Sequence, residues 1–243
     1  SLKLEVNTAD SSIAAGDAYR VTQAIEGQNI AQVDLGASTA KPMALSFYVK
    51  SSVTGTYGVG LANSAETENF VAEYTINSAD TWEKKTINIP ARTSGTWLTT
   101  IGVGIGVRFD LGSGTNYNGT AGQWQTTSSK VYRTSGCVNL IATGSATWFL
   151  TGVQLEVGQN PTSFEHEPFQ KTFEKCLRYT RRLPAKDSTS GSGFNGLGSG
   201  GKNDTTTLNH TYVYMEPHMR DDPAIASQSG SFRIHHANTA TSV

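Results

Sequence analysis

Apolar residues along the first two thirds of the chain recur at every second position, the spacing that puts alternate side chains on one face of a strand. Leu2, Leu4 and Val6 begin the pattern. Leu45, Phe47 and Val49 continue it, followed by Tyr57, Val59 and Leu61, by Phe70, Tyr74 and Ile76, and by Ile87 and Ile89. Ile101, Val103, Ile105, Val107 and Phe109 alternate with Gly102, Gly104, Gly106 and Arg108, which predicts a strand with one greasy face and one nearly bare face. Phe149, Val153, Leu155 and Val157 form the last set. Turn-forming clusters rich in Gly, Ser, Asn and Thr separate the sets at 51–55, 77–80, 93–95 and 112–119. Short strands at this spacing, with no helical pattern between them, predict an all-β, antiparallel, jelly-roll-like β-sandwich over residues 1–158.

The period changes after Gly158. Asn160 and Pro161 end the last strand, and Pro168 stands where a helix can begin. Phe169, Phe173, Cys176 and Leu177 then follow at helical spacing, so residues 159–187 read as a connector with a short amphipathic helix. Lys171, Lys175, Arg178, Arg181, Arg182 and Lys186 concentrate positive charge there, and a solvated helix face is preferred over an anionic partner. Residues 188–243 read as a Gly/Ser-rich loop followed by a small β-rich segment, with strand candidates at 212–215 and 232–234. Too few apolar residues follow Gly201 for a separate core, so this end is expected to pack on a neighbour or to be incomplete. The chain starts at Ser1 directly in a strand pattern, which suggests part of a longer polypeptide.

Composition narrows the function classes. Hydrophobic residues make up 37% of the 243 positions, but only 16% are charged and the formal net charge is −1. Ser and Thr supply roughly a fifth of the chain, so neutral polar groups carry much of the surface. That balance argues against nucleic-acid binding, which depends on basic excess, and against disorder. No run approaches the length of a membrane-spanning helix. The two cysteines, Cys137 and Cys176, match no metal or redox spacing and read as small buried hydrophobes.

Few motifs carry chemistry. Gly196, Gly198 and Gly201 satisfy GxGxxG, but no strand precedes them and no helix follows, so the match is compositional. The adjacent His235 and His236 would point to opposite faces of a strand and cannot chelate one ion as a pair, and Glu165, His166 and Glu167 read as an exposed turn. Asp34, Glu73, Asp110 and Glu156 lie on or beside predicted strands, where a glycosidase would need two carboxylates facing each other across a sugar ring. Exposed-face roles are the simpler reading. A structural calcium at a sandwich edge is compatible with carboxylates and carbonyls, although no spacing demands it, and no other cofactor is expected.

The aromatics give the better lead. Trp97 lies beside a Ser/Gly turn, Tyr117 within 112–119, and Trp124 after Gly122, so all three are candidates to project from the rims of the sandwich. Flat rings beside Asn, Gln and Thr suit sugars, whose C–H faces stack on rings while amides and hydroxyls bond their hydroxyl groups. Capping the core remains the alternative for Trp97 and Trp124. Trp82 and Trp148 lie on predicted strands and read as core or inter-sheet packing.

Several ordered segments are similar to a β-sandwich family of bacteriophage fibre and tail proteins. They are IEGQN at 25–29, LSFYVKSS at 45–52, TWEKKTI at 81–87, FLTGVQLEVG at 149–158, PTSFEH at 161–166, and Cys176-Leu177-Arg178-Tyr179, with Met219, Arg220 and Pro223 at the end. The resemblance implies a virion structural protein on the particle exterior, a tail, collar or head fibre whose sandwich looks like a carbohydrate-binding module. It also implies a homotrimer attached to other virion proteins, with host-surface glycan as ligand and no catalytic residue. A tailspike-type polysaccharide depolymerase and a purely structural spacer are the alternatives.

Overall fold

The computed structural model describes residues 1–180, 201–205, 208–211, 219–220, 233–236 and 239–242. The chain divides into two compact units, Ser1–Glu165 and His166–Val243. In the first, β1 (Leu2–Glu5), β3 (Met43–Ser51), β6 (Glu83–Ile89) and β9 (Thr147–Val157) form a four-stranded sheet in the order β1-β9-β3-β6. The facing sheet has five strands, β2 (Arg20–Glu26), β4 (Gly55–Ala62), β5 (Glu68–Ile76), β7 (Val103–Asp110) and β8 (Trp124–Thr126), in the order β2-β7-β4-β5-β8. Neighbouring strands are antiparallel throughout, so the fold is an all-β two-sheet sandwich as the alternation predicts.

The core lies where the predicted inner faces meet. Leu45, Phe47 and Val49 point inward from β3, and Tyr57, Val59, Leu61, Phe70, Tyr74, Ile105, Val107 and Phe109 meet them from the five-stranded sheet. Phe47 stands edge-on to both Tyr74 (5.1 Å) and Phe109 (5.0 Å), and Phe109 in turn packs on the fully buried Trp148 (5.8 Å). These rings interlock the two sheets. The bare face of β7 is used as its glycines suggest, because a Cβ at Gly104 would lie 2.5 Å from Gly27 Cα.

Three features depart from the pattern. Ile101 precedes β7 and is exposed. In β9 the core positions are Trp148 and Leu150, with Leu155 packed against the core, whereas Val153 and Val157 are exposed and Phe149 points outward. A bulge causes the switch: Ser46 pairs with Gln154 but Tyr48 pairs with Thr151, so β9 carries an extra residue that inverts its alternation. Gly152 takes the left-handed backbone conformation there, with φ of 57°. Trp82, expected inside, sits just before β6 and is 42% exposed, because it lies over the outer face of the four-stranded sheet against Phe149.

In the second unit α1 (Phe169–Leu177) begins after Pro168, whose carbonyl accepts the first helical N–H bonds from Lys171 and Thr172. Among the described residues its apolar side chains are exposed, Phe169 at 79% and Phe173 at 45%, and Cys176 on the same helix is exposed rather than buried. Cys137, by contrast, is buried. Strands β10 (Gly201–Thr205) and β11 (Leu208–Thr211) form one hairpin, and β12 (Arg233–His236) and β13 (Thr239–Ser242) another. The strand expected at 212–215, the glycines 196 and 198, and Arg181, Arg182 and Lys186 lie outside the described residues.

Candidate functional site

The segment between β6 and β7 carries Trp97 and is fixed by buried polar groups rather than by secondary structure. Glu68 at the start of β5 accepts a hydrogen bond from Arg92 Nε at 2.7 Å and pairs with the same guanidinium through Nη2. Thr126 of β8 donates to Glu68 Oε1 at 3.1 Å and accepts from Arg92 Nη2 at 2.6 Å. Asn63 holds the next turn by donating to the Thr96 carbonyl at 3.1 Å. A side chain at Gly95, whose φ is 90°, would collide with Glu68, so the turn closes directly onto the carboxylate.

Trp97 is held on three sides. Its indole N–H donates to the Ser94 carbonyl at 3.1 Å, and its ring edge fills the space left by Gly36, where a Cβ would stand 2.9 Å from Cδ1. Trp124 meets it edge-to-face at 5.5 Å, donates its own N–H to the Pro90 carbonyl at 2.7 Å, and leans on Phe70 at 5.5 Å. The order Trp97, Trp124, Phe70 therefore runs from the rim into the core. Trp124 buttresses Trp97.

Beside Trp97 opens a cleft of about 210 Å³. Ile30, Leu35, Trp97 and Leu98 supply apolar walls, and Asp34 and Thr99 supply polar groups. Asp34 ends a short 3-10 turn, Ala31–Val33, in the left-handed conformation with φ of 57°, which Asp tolerates better than most residues. It is therefore a turn residue rather than a strand residue. The residue is exposed and no hydrogen bond or ion pair holds its carboxylate among the described residues. Apolar walls with a few placed polar groups are the usual make-up of a small-ligand site.

Tyr117 belongs elsewhere. Its ring stacks on the buried Tyr132 at 4.9 Å and its hydroxyl donates to the Gly16 carbonyl at 2.9 Å. The structure thus joins Trp97 with Trp124 and places Tyr117 in a separate cluster, where Arg20 covers the Tyr132 ring at 5.0 Å.

The other carboxylates are engaged in local structure. Asp110 is buried, accepts N–H bonds from Ser113 (2.9 Å) and Gly112 (3.3 Å), and lies 3.6 Å from Arg133; burial pushes its carboxyl above the usual range. Glu73 accepts the Thr134 hydroxyl. Glu156, on the opposite sheet, accepts the Thr162 N–H (2.6 Å) and hydroxyl (2.8 Å), which hold it below the usual range. Asp34 alone of the four lines the cleft, where a carboxylate can accept hydrogen bonds from hydroxyl groups. Among the described residues no group of three or more His, Cys, Asp and Glu is placed to hold a metal ion.

Local sequence reading overlooked Glu68, Arg92 and Asn63. Glu68 and Arg92 are 24 positions apart, and Asn63 and Thr96 are 33 apart. The turn glycine at 95 marks where the chain must close, but not on what.

No protein-family model matches the chain, and no curated protein matches it either. Among solved structures, one described as "CBM4 structure and function" is similar over 64% of this chain and 71% of its own, at 12% identity and a TM-score of 0.36.

Proposed function

We propose that the sandwich is a non-catalytic glycan-binding module that takes the end or edge of a saccharide into the cleft beside Trp97. The observation that carries this reading is the cleft itself: an aromatic wall locked by its own N–H bond and by Trp124, with the carboxylate of Asp34 open beside it. Trp97 offers apolar surface to sugar C–H groups and Asp34 accepts hydroxyl hydrogens. At about 210 Å³ the cleft holds less than a site that encloses its ligand, so each contact is weak.

The setting that suits such a site is one of many copies, where linked weak contacts sum to firm attachment. The resemblance of the ordered segments to phage fibre proteins supports that setting: a homotrimeric virion appendage, a tail fibre before a collar or head fibre, displaying the module to host-surface glycans. The low charge and neutral polar composition agree with it.

A glycan array probed with the fluorescently labelled, multivalently displayed protein tests the reading. Signals on a defined set of glycans are expected, reduced at least tenfold by Trp97→Ala and weakened by Asp34→Asn, with thermal midpoints that show both variants folded. A flat array would favour the spacer, and cleavage of a bound polysaccharide would favour a depolymerase. Sedimentation of the purified protein as a single 25.9 kDa chain would count against the trimeric appendage.

A further inference from the structure

On the outer face of the four-stranded sheet, Lys3, Phe149 and Lys50 stand in one row across three adjacent strands. Lys3 of β1 pairs with Phe149 of β9, and Phe149 pairs with Lys50 of β3. The inward neighbours Trp148, Leu150 and Val49 are buried, so the row faces outward. Two strand spacings put the backbones of the lysines about 10 Å apart, with the Phe149 ring between them. Both ammonium groups bend toward that ring, Lys50 Nζ at 4.3 Å and Lys3 Nζ at 6.0 Å from its centroid. Trp82 closes the Lys50 end, 6.2 Å from Phe149 and 5.6 Å from Lys50 Nζ.

The arrangement combines an exposed indole with a cation that has no ion-pair partner among the described residues. Lys50 is held by two aromatic faces, and among the described residues no carboxylate pairs with it. Lys3 pairs with Glu5, but both side chains are about half exposed, a kind of pair that is weakly held and open to exchange. The Trp82 indole N–H has no hydrogen-bond partner among the described residues, and the residue is 42% exposed. An aromatic surface flanked by two ammonium groups complements a ligand that is flat and apolar on one face and negatively charged at its edge.

The geometry points to a second saccharide site here, specific for acidic sugars: the ring of a uronic acid stacks on Trp82 or Phe149 while its carboxylate lies between Lys50 and Lys3. The site is separate from the Trp97 cleft and differs from it in charge, since that cleft carries a carboxylate and this row carries ammonium groups. A neutral chain selects the first and a uronate chain the second.

Calorimetric titration with a galacturonate hexamer, and separately with its fully methyl-esterified form, tests the assignment, because esterification removes the charge and leaves the rings. The native protein is expected to bind the acid at least tenfold more tightly than the ester, with affinity falling as salt rises. Lys50→Met and Trp82→Ala should each weaken binding of the acid at least tenfold. Lys50 and Trp82 lie on the outer face of the sheet, and for every variant a thermal midpoint within a few degrees of the native protein's verifies folding. Equal binding of acid and ester, binding that survives Lys50→Met, binding lost only with Trp97→Ala, or no heat with either hexamer would each overturn the second site. Because the Trp97 variant is scored on the neutral glycans of the array, failure of this site leaves the cleft reading untouched.

Discussion

At the scale of single residues, side chains far from any ligand decide whether the site exists. Trp97 can present a fixed wall only because Glu68 takes up both Arg92 and Thr126 beneath its loop. A different carboxylate gives the clearest solution signature. Glu83 accepts N–H bonds from Asn77 (2.8 Å) and Ser78 (2.9 Å), and pairs with Lys85 at 2.6 Å. The Lys85 ammonium, then these N–H groups, hold its carboxyl well down, from the ordinary 4.5 to about 2. A depressed carboxyl stabilises the fold fully above its unfolded value and loses that contribution as pH falls toward the folded one. Glu83→Gln should therefore lower the thermal midpoint at pH 6 to 7, with the gap to the native protein closing between about pH 4.5 and pH 2. Melting curves across that range check this; a gap that is constant with pH would show that the Glu83 charge is not what clamps the turn before β6.

At the scale of elements, legibility followed how strictly one face of a strand was committed to the core. Leu45, Phe47 and Val49, or Ile105, Val107 and Phe109, face only the opposite sheet, so their alternation reads directly as structure. In β9 an added residue at Gly152 inverted the alternation, and no composition signal marks an insertion of one residue. Strand β2 is an edge strand with Gln23 between Val21 and Ile25, and β8 is three residues long, so neither offers a repeat to detect. Trp97 was legible as a loop aromatic, whereas Trp124 opens strand β8 and packs against the core, and the supports of both were not legible because they come from chain-distant residues.

Glycines offer a test at the same scale, since two on the outer face of the five-stranded sheet have opposite surroundings. A Cβ at Gly60 of β4 would strike the backbone and Cβ of Tyr132, whose segment lies on that face, whereas at Gly106 of β7 the nearest atom is Arg108 Nη2 at 3.8 Å. Gly60→Ala should cost about 1–3 kcal/mol by displacing the covering segment. Gly106→Ala should stay within about 0.5 kcal/mol of the native protein. Urea midpoints with unchanged slopes measure both, and equal costs would mean that the Tyr132 segment does not bear on β4 as described.

At the scale of the whole molecule, the sandwich is a scaffold whose core is closed and whose proposed recognition groups lie outside it. The Trp97 cleft lies beside the five-stranded sheet, and the Lys50 row lies on the outer face of the four-stranded sheet. The low net charge takes on a sharper meaning in this light, because the surface needs no strong field if it reads sugars by ring faces and a few charged groups. Whether the cleft beside Trp97 receives the sugar is the central claim, and the chain's four tryptophans allow it to be read directly. With fluorotryptophan incorporated and each fluorine resonance assigned by substitution, the protein is titrated with a neutral glycan chosen from the array. The Trp97 resonance should move progressively to saturation, Trp124 should follow by a smaller amount, and the buried Trp148 should stay in place. Saturable binding with an unmoved Trp97 resonance, or no binding by any neutral glycan, would contradict the account.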